Sequence, residues 1–312
     1  MNITPQRFYL TIILGFALCV RLSAAPATES PLHVVTLHTV LTEIAREVGG
    51  SRAEVAGLVQ PGIDPHAFDP SASDMRKLVD ADVVLVSGLH LELYLDRLVA
   101  QRGPNRPVVV VGEALPSMLS LSGAAAKKSD KNHSTCANEK DPHWWHSIDN
   151  VLFAADLVRA EFSRLRPAWA DDFARNAQAY EQRLFALKSW VALEIAKLPP
   201  SRRQLVTSHD AFGHFARDYG FTVHPINGIS TEGEPDAKHL AQLIDFIRAE
   251  HIKAVFAEND VNPRLVSNLV SETGVRLGAR LYSDGLGPEG SDAATYEAMY
   301  RHNVSAIFGA LR

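Results

Sequence analysis

The sequence predicts an α/β fold of two parallel-sheet lobes joined by a long rigid helix. Three observations carry that prediction. Apolar runs without polar alternation, such as VVLVSG at Val83–Gly88, mark strands buried on both faces. Strand and helix patterns take turns, once through each half of the chain, which is the order of parallel sheets with helical crossovers. Between the halves a helical pattern continues for about 30 residues, roughly 45 Å at 1.5 Å per residue, long enough to run along both lobes.

The first half opens with the strand HVVTLH, directly after Leu32. A helix follows from Thr39 to Val48 and stops at Gly49-Gly50, which leave the helical conformation at little steric cost. The run Val55–Val59 is the next strand, and a loop rich in Pro, Gly and Asp leads to a helix over Ser73–Val79. Val83–Gly88 is the third strand, Leu91–Ala100 a helix, and Arg106–Gly112 the fourth strand. Residues 122–141 carry small and charged side chains with no apolar period and read as a mobile polar loop. A helix follows over Asp149–Leu165. Another runs from Pro167, suited to a first helical turn, to Lys197, where Pro199-Pro200 ends it. The alternation then restarts with strand Gln204–His209, a helix to Tyr219, strand Phe221–Ile226 and helix Asp236–His251. Strand Ala254–Asn259, a helix to Gly274, strand Ala279–Asp284 and a closing helix Ala293–Leu311 complete it. The expected division is a leader over 1–27, a first lobe over 28–148, linking helices over 149–200 and a second lobe over 201–312.

The leader follows from its own pattern. Phe8–Val20 is an apolar run of 13 residues behind Arg7, short for a bilayer span and suited to the core of a signal peptide. Ala25-Pro26-Ala27 offers a cleavage point, and Leu18 in front of Cys19 does not suit a lipidated cysteine. The expectation is a soluble periplasmic protein. Its mature part retains one of the 2 cysteines, Cys136, and forms no internal disulfide. With 46% hydrophobic and 21% charged residues the composition excludes disorder and fibrous rods. A net charge of −5 without basic blocks excludes nucleic acid as the partner and is compatible with cations.

In α/β sheets ligands bind beyond the carboxyl ends of the strands. Four metal-ligating residue types stand at such places: His66 in PGIDPHAFDP, His143 in DPHWWH, His209 in TSHDAFGH and Asp284 in LYSDGLG. Three imidazoles and one carboxylate suit four-coordinate Zn²⁺, whereas magnesium and calcium prefer oxygen cages. In each Asp-Pro-His the proline stiffens the loop that carries the histidine. Singly these signals are weak, because the chain has 13 histidines and many histidines after strands are capping or surface residues. His146 and His214 are further ligand candidates by proximity, and His133 and Cys136 are auxiliary candidates in the polar loop. Asp210, Glu232 and Glu258 are candidates to orient an imidazole or, in a catalytic reading, to serve as a base. Spacing alone leaves a metal site and a structural reading both open.

The segments PGIDPHAFDPSASD, DPHWWH, SHDAFGHFARDYG, GISTEGEPDAKHLAQLIDFIRAE, AVFAEND and LYSDGLGPEGSDAATYEAMYRHNV occur in that order. Together they resemble the zinc/manganese family of periplasmic solute-binding proteins of metal ABC transporters (cluster A-I), in its zinc-binding type. The resemblance runs from about Leu32 to the C-terminus. It implies metal in a cleft between two lobes, with His66, His143, His209 and Asp284 as ligands. It also implies zinc as the bound substrate, an inner-membrane ABC permease as partner, and a monomer. Three departures stand out. The loop before the second Asp-Pro-His holds only His133 where zinc-binding members often carry many histidines. His209 stands where manganese members usually have Glu, which favours zinc. DPHWWHSIDN replaces the commoner DPHVWLDP and gives Trp144 and His146 no assigned role.

Two functional classes follow: capture of a divalent metal, with manganese or iron as the alternative to zinc, or a zinc hydrolase. A hydrolase needs an open coordination position, and four protein ligands would close it. No HExxH signature occurs. The expectation is therefore a binding protein and no enzyme.

Overall fold

Strands β1 (Leu32–Thr36), β2 (Ala53–Gly57), β3 (Val83–Val86) and β4 (Val108–Val110) form a sheet in the order β2-β1-β3-β4, with every pair parallel. The structure is a computed structural model and describes residues 30–103, 106–120, 140–231, 236–259 and 264–312. The leader, His133, Cys136 and Glu232 lie outside the described residues. Helices α1 (Thr39–Gly49), α2 (Ala72–Asp80), α3 (Leu95–Arg102) and the short α4 (Val111–Ala114) belong with this sheet. All four residues of β3 are buried, as expected of a central strand covered on both faces.

Two long helices follow. α5 (Ile148–Leu165) packs on α1, and α6 (Ala170–Ala196) packs on α1, α5 and the last helix, α10 (Tyr296–Leu311). The 27 residues of α6 make a rod of about 40 Å. Its buried positions Phe173, Ala177, Tyr180, Leu184, Leu187, Val191 and Ile195 recur every three or four residues, a single stripe that both lobes use. Pro167 opens a 3₁₀ turn ahead of it, so the pattern of about 30 residues divides into that turn and the helix.

The second sheet repeats the first. β5 (Gln204–Thr207), β6 (Thr222–Pro225), β7 (Ala254–Val255) and β8 (Arg276–Leu277) are parallel in the order β6-β5-β7-β8, with α7 (Gly213–Tyr219), α8 (Ala237–Ala249) and α9 (Arg264–Thr273) between them. In each sheet the order reverses beside the first strand, β1 or β5. That is where a crevice opens past the strand ends. The largest buried cluster joins residues of both sheets, from Leu32 and Leu85 to Leu205, Phe256 and Leu281, with α5, α6 and α10 between. No helix among the described residues is long and apolar enough to cross a membrane.

Several elements differ from the sequence reading: β2 spans Ala53–Gly57 instead of Val55–Val59, the strand expected over Arg106–Gly112 keeps Val108–Val110 before α4, and β7 keeps two residues of Ala254–Asn259. The last strand pairs at Arg276–Leu277 instead of Ala279–Asp284. The chain then passes Phe256 at Gly278, where a Cβ would sit 2.4 Å from the ring, and rejoins the sheet only by a bridge between Leu281 and Glu258. α3 starts at Leu95, four residues later than the apolar pattern suggests. The Glu92 carboxylate accepts the N–H groups of Ser87 and Gly88 (2.7 and 2.8 Å), and Leu89 and His90 adopt positive φ, so the chain turns before it coils.

Candidate metal centre

Each of the four residues is delivered by a different segment. His66 lies in the loop between β2 and α2, His143 ahead of α5, His209 two residues past β5, and Asp284 beyond β8. In both Asp-Pro-His sequences the aspartate folds back to accept the histidine's own N–H: Asp64 Oδ1 from His66 (2.8 Å) and Asp141 Oδ1 from His143 (2.9 Å). Proline and this short turn together fix the loop. Asp64 also accepts the Thr231 hydroxyl from the opposite lobe.

The four ligand atoms lie within 4.8 Å of one another. His143 Nε2 stands 3.2 Å from His66 Nε2 and 3.3 Å from His209 Nε2. Asp284 Oδ1 stands 3.3, 3.3 and 3.6 Å from the Nε2 atoms of His143, His209 and His66. Yet this buried oxygen makes no hydrogen bond. The atoms surround a common centre instead of pointing at one another. A regular tetrahedron with edges of about 3.3 Å has its corners about 2.0 Å from its centre, the length of a zinc–imidazole or zinc–carboxylate bond.

Outer partners set the tautomers. His143 Nδ1 donates to Asp141 Oδ1 (2.8 Å) and His209 Nδ1 donates to Glu258 Oε2, so each presents Nε2 to the centre. Glu258 Oε1 also accepts the N–H of Ser208 (2.7 Å) and of His209 (3.2 Å). Burial opposes charge on His143, but the carboxylates of Asp141 and Asp284 outweigh it and push the imidazole up to about 9. His209 moves the same way: burial works against its charge, and Asp284 and Glu258 carry it well above the ordinary range. Burial works to raise Asp284, yet the three imidazoles hold its carboxyl well below the usual range. The electrostatics are those of a pocket that wants positive charge at its centre.

The comparisons with known proteins give the same direction. The family described as "ZnuA: Zinc-uptake complex component A periplasmic" matches residues 34–310. The chain belongs to this family. It is 36% identical to the manganese-binding lipoprotein MntA of Bacillus subtilis, over 93% of each chain. It is 33% identical to the zinc-binding protein TroA of Treponema pallidum, over 97% of this chain and 96% of that one. The solved structure of TroA superposes with a TM-score of 0.82 at 32% identity, covering 91% of this chain and 99% of that one. The iron-binding protein YfeA of Yersinia pestis is 30% identical over 90% of this chain and 86% of its own length. The protein is thus a metal-binding component of an ABC transporter.

The structure places the remaining candidates as follows. Asp210 does not join the donor group; its main-chain N–H bonds Gly228 O at 3.0 Å, and burial pushes its carboxyl up to about 6 against the pull of His143 and His209. His146 is buried but turned away, with Nε2 donating to the carbonyl of Ser283 (2.8 Å). His214 is also buried, its Nδ1 3.4 Å from Asn150 Nδ2, and does not join the donor group. The sequence reading passed over Asp141, although it precedes His143 by the same two residues that separate Asp64 from His66. It also passed over His38, at the end of β1, which touches the main chain of Asp284.

Proposed function

We propose that the protein captures a divalent transition metal, zinc in the first place, in the periplasm and delivers it as a monomer to an inner-membrane ABC permease. His66, His143, His209 and Asp284 are the ligands in this reading. The observation that carries it is the convergence of three imidazole nitrogens and one carboxylate oxygen within 4.8 Å of one another, with Asp284 Oδ1 and His143 Nε2 each 3.2–3.6 Å from the other donors, spacings that suit bonds of about 2.0 Å to one tetrahedral ion. Zinc accepts four donors in that geometry, whereas manganese favours six, mostly oxygen. Manganese is the second reading, supported by the name of the Bacillus subtilis relative. Asp284 could serve it by swinging to offer both oxygens. Metal analysis of protein purified without added metal, followed by competition between Zn²⁺ and Mn²⁺ against a chelator of known strength, separates the two. Zinc retained through excess Mn²⁺ supports the first reading, and full exchange for Mn²⁺ overturns it.

A further inference from the structure

β1 and β5 hold the same place in their sheets, and each ends in the same pattern: Val35-Thr36-Leu37-His38 and Val206-Thr207-Ser208-His209. Both histidines are fully buried. His209 turns Nε2 toward the donor cluster, and His38 does not. Its Nδ1 accepts the N–H of Val40 at 3.2 Å and caps α1. That leaves the ring proton on Nε2, which donates to the main-chain carbonyl of Asp284 at 3.1 Å.

The neighbouring carbonyl is held in the same manner. Trp145, whose ring lies 4.1 Å from that of His38, donates its Nε1–H to Ser283 O at 2.8 Å, and His146 Nε2 reaches the same oxygen at 2.8 Å. Thr39 Oγ1 accepts the N–H of Leu286 at 2.8 Å. The segment 283–286 leaves its own sheet at Leu281 and is held from there by His38, Thr39, Trp145 and His146, all in the first half of the chain.

We propose that His38 is a positioning residue that sets metal selectivity: by pinning the main chain of Asp284 from the opposite lobe, it keeps the carboxylate at tetrahedral spacing and favours zinc over manganese. This rests on the reading of Asp284 as a ligand. With its main chain fixed, Asp284 offers Oδ1 alone at 3.3–3.6 Å from the three imidazoles, and Oδ2 is engaged by the Ser283 hydroxyl at 3.1 Å. A released main chain would let the carboxylate turn and present both oxygens, adding a donor that a six-coordinate ion can use.

The test is Zn²⁺ and Mn²⁺ affinity by chelator competition on the metal-stripped full chain. In His38→Asn the amide oxygen replaces Nδ1 as the cap acceptor, but the side chain is too short to reach Asp284 O. In His38→Gln the amide nitrogen extends to the place of Nε2. His38→Asn should weaken zinc about tenfold, or about 1.4 kcal/mol, the lower end for partners that orient a ligand. Manganese should change by less than about threefold, so that the ratio narrows, and His38→Gln should restore it. Unchanged zinc affinity in His38→Asn, or an equal loss of both metals, would overturn the proposal. Should His38→Asn fail to fold, His38→Ser also keeps an oxygen that can cap α1 and lacks the reach to Asp284 O. It should narrow the same ratio, and a wild-type ratio there also overturns the proposal. Asp284→Ala in the same assay keeps the two ideas apart. Wild-type zinc affinity in that variant sinks the ligand reading itself; loss there beside an unaltered His38→Asn sinks only the positioning role.

Discussion

Raising the pH from 7 to 9 should strengthen zinc binding by about fiftyfold or more. A metal-bound imidazole must be neutral, and in the metal-free protein the surrounding carboxylates hold His143 and His209 toward the protonated form. His143 is buried, yet Asp141 and Asp284 push it up to about 9. His209, also buried, is carried in the same direction by Asp284 and Glu258. At neutral pH capture must therefore displace a proton from each. The His143 proton alone, half released by pH 9, accounts for about fiftyfold, or about 2.3 kcal/mol, and His209 adds in the same direction. Asp284 and Asp141 are both held below the ordinary carboxylate range and add nothing over this interval. Ordinary histidine titrates near 6.5 and would place the whole effect below neutrality; the carboxylates behind these rings move it up. The empty fold should respond with the opposite sign. Raised imidazoles stabilise it fully below about pH 6.5 and lose that contribution as pH climbs through 9. The assay is zinc competition against a chelator of known proton affinity from pH 6 to 9.5, with melting temperatures of the metal-free protein beside it. Affinity that is flat between pH 7 and 9 would refute the argument.

Other outcomes follow from the same geometry. His66→Ala, His143→Ala, His209→Ala and Asp284→Ala should each weaken zinc at least a hundredfold with unchanged circular dichroism, and retained affinity removes that residue from the ligand set. Glu258→Gln keeps the shape but not the charge behind His209 and should cost about 10- to 100-fold in zinc affinity, measured by the same competition. Gly285→Ala places a Cβ 2.6 Å from Thr39 Oγ1. It should destabilise the metal-free protein by about 1–3 kcal/mol in denaturant titration, through overpacking beside Asp284.

Much of this was legible in the sequence because the signals are local. Unalternating apolar runs gave the inner strands, and the stripe from Phe173 to Ile195 gave the long helix. Strand ends and the loops beyond them offered the four residues that converge, and the family resemblance picked them out. What stayed hidden depends on contacts between distant segments. β8 slides to Arg276–Leu277 because its partner β7 is only two residues long, which no periodicity in 279–284 reveals. Glu92 delays α3 by capping a turn that the apolar spacing of Leu91–Ala100 conceals. The twin Val-Thr-x-His endings are plain in the chain, yet nothing local says that one histidine turns to the cluster and the other to a carbonyl. Trp145 and Val40 decide that, and they arrive from elsewhere in the fold or from the helix start.

The stripe of α6 and the core it shares with both sheets carry a kinetic consequence. A cleft whose walls grow from one continuous core resembles a mould more than a jaw. Little has to be ordered when an ion enters, so entry should be governed by arrival at the groove beside His66, Phe68 and Arg97 and by shedding of hydration water. Those steps differ modestly between Zn²⁺ and Mn²⁺. Discrimination would then fall on departure, as it commonly does among related complexes. The right cargo and the wrong one would load at comparable speed, and the time each stays would decide which reaches the membrane.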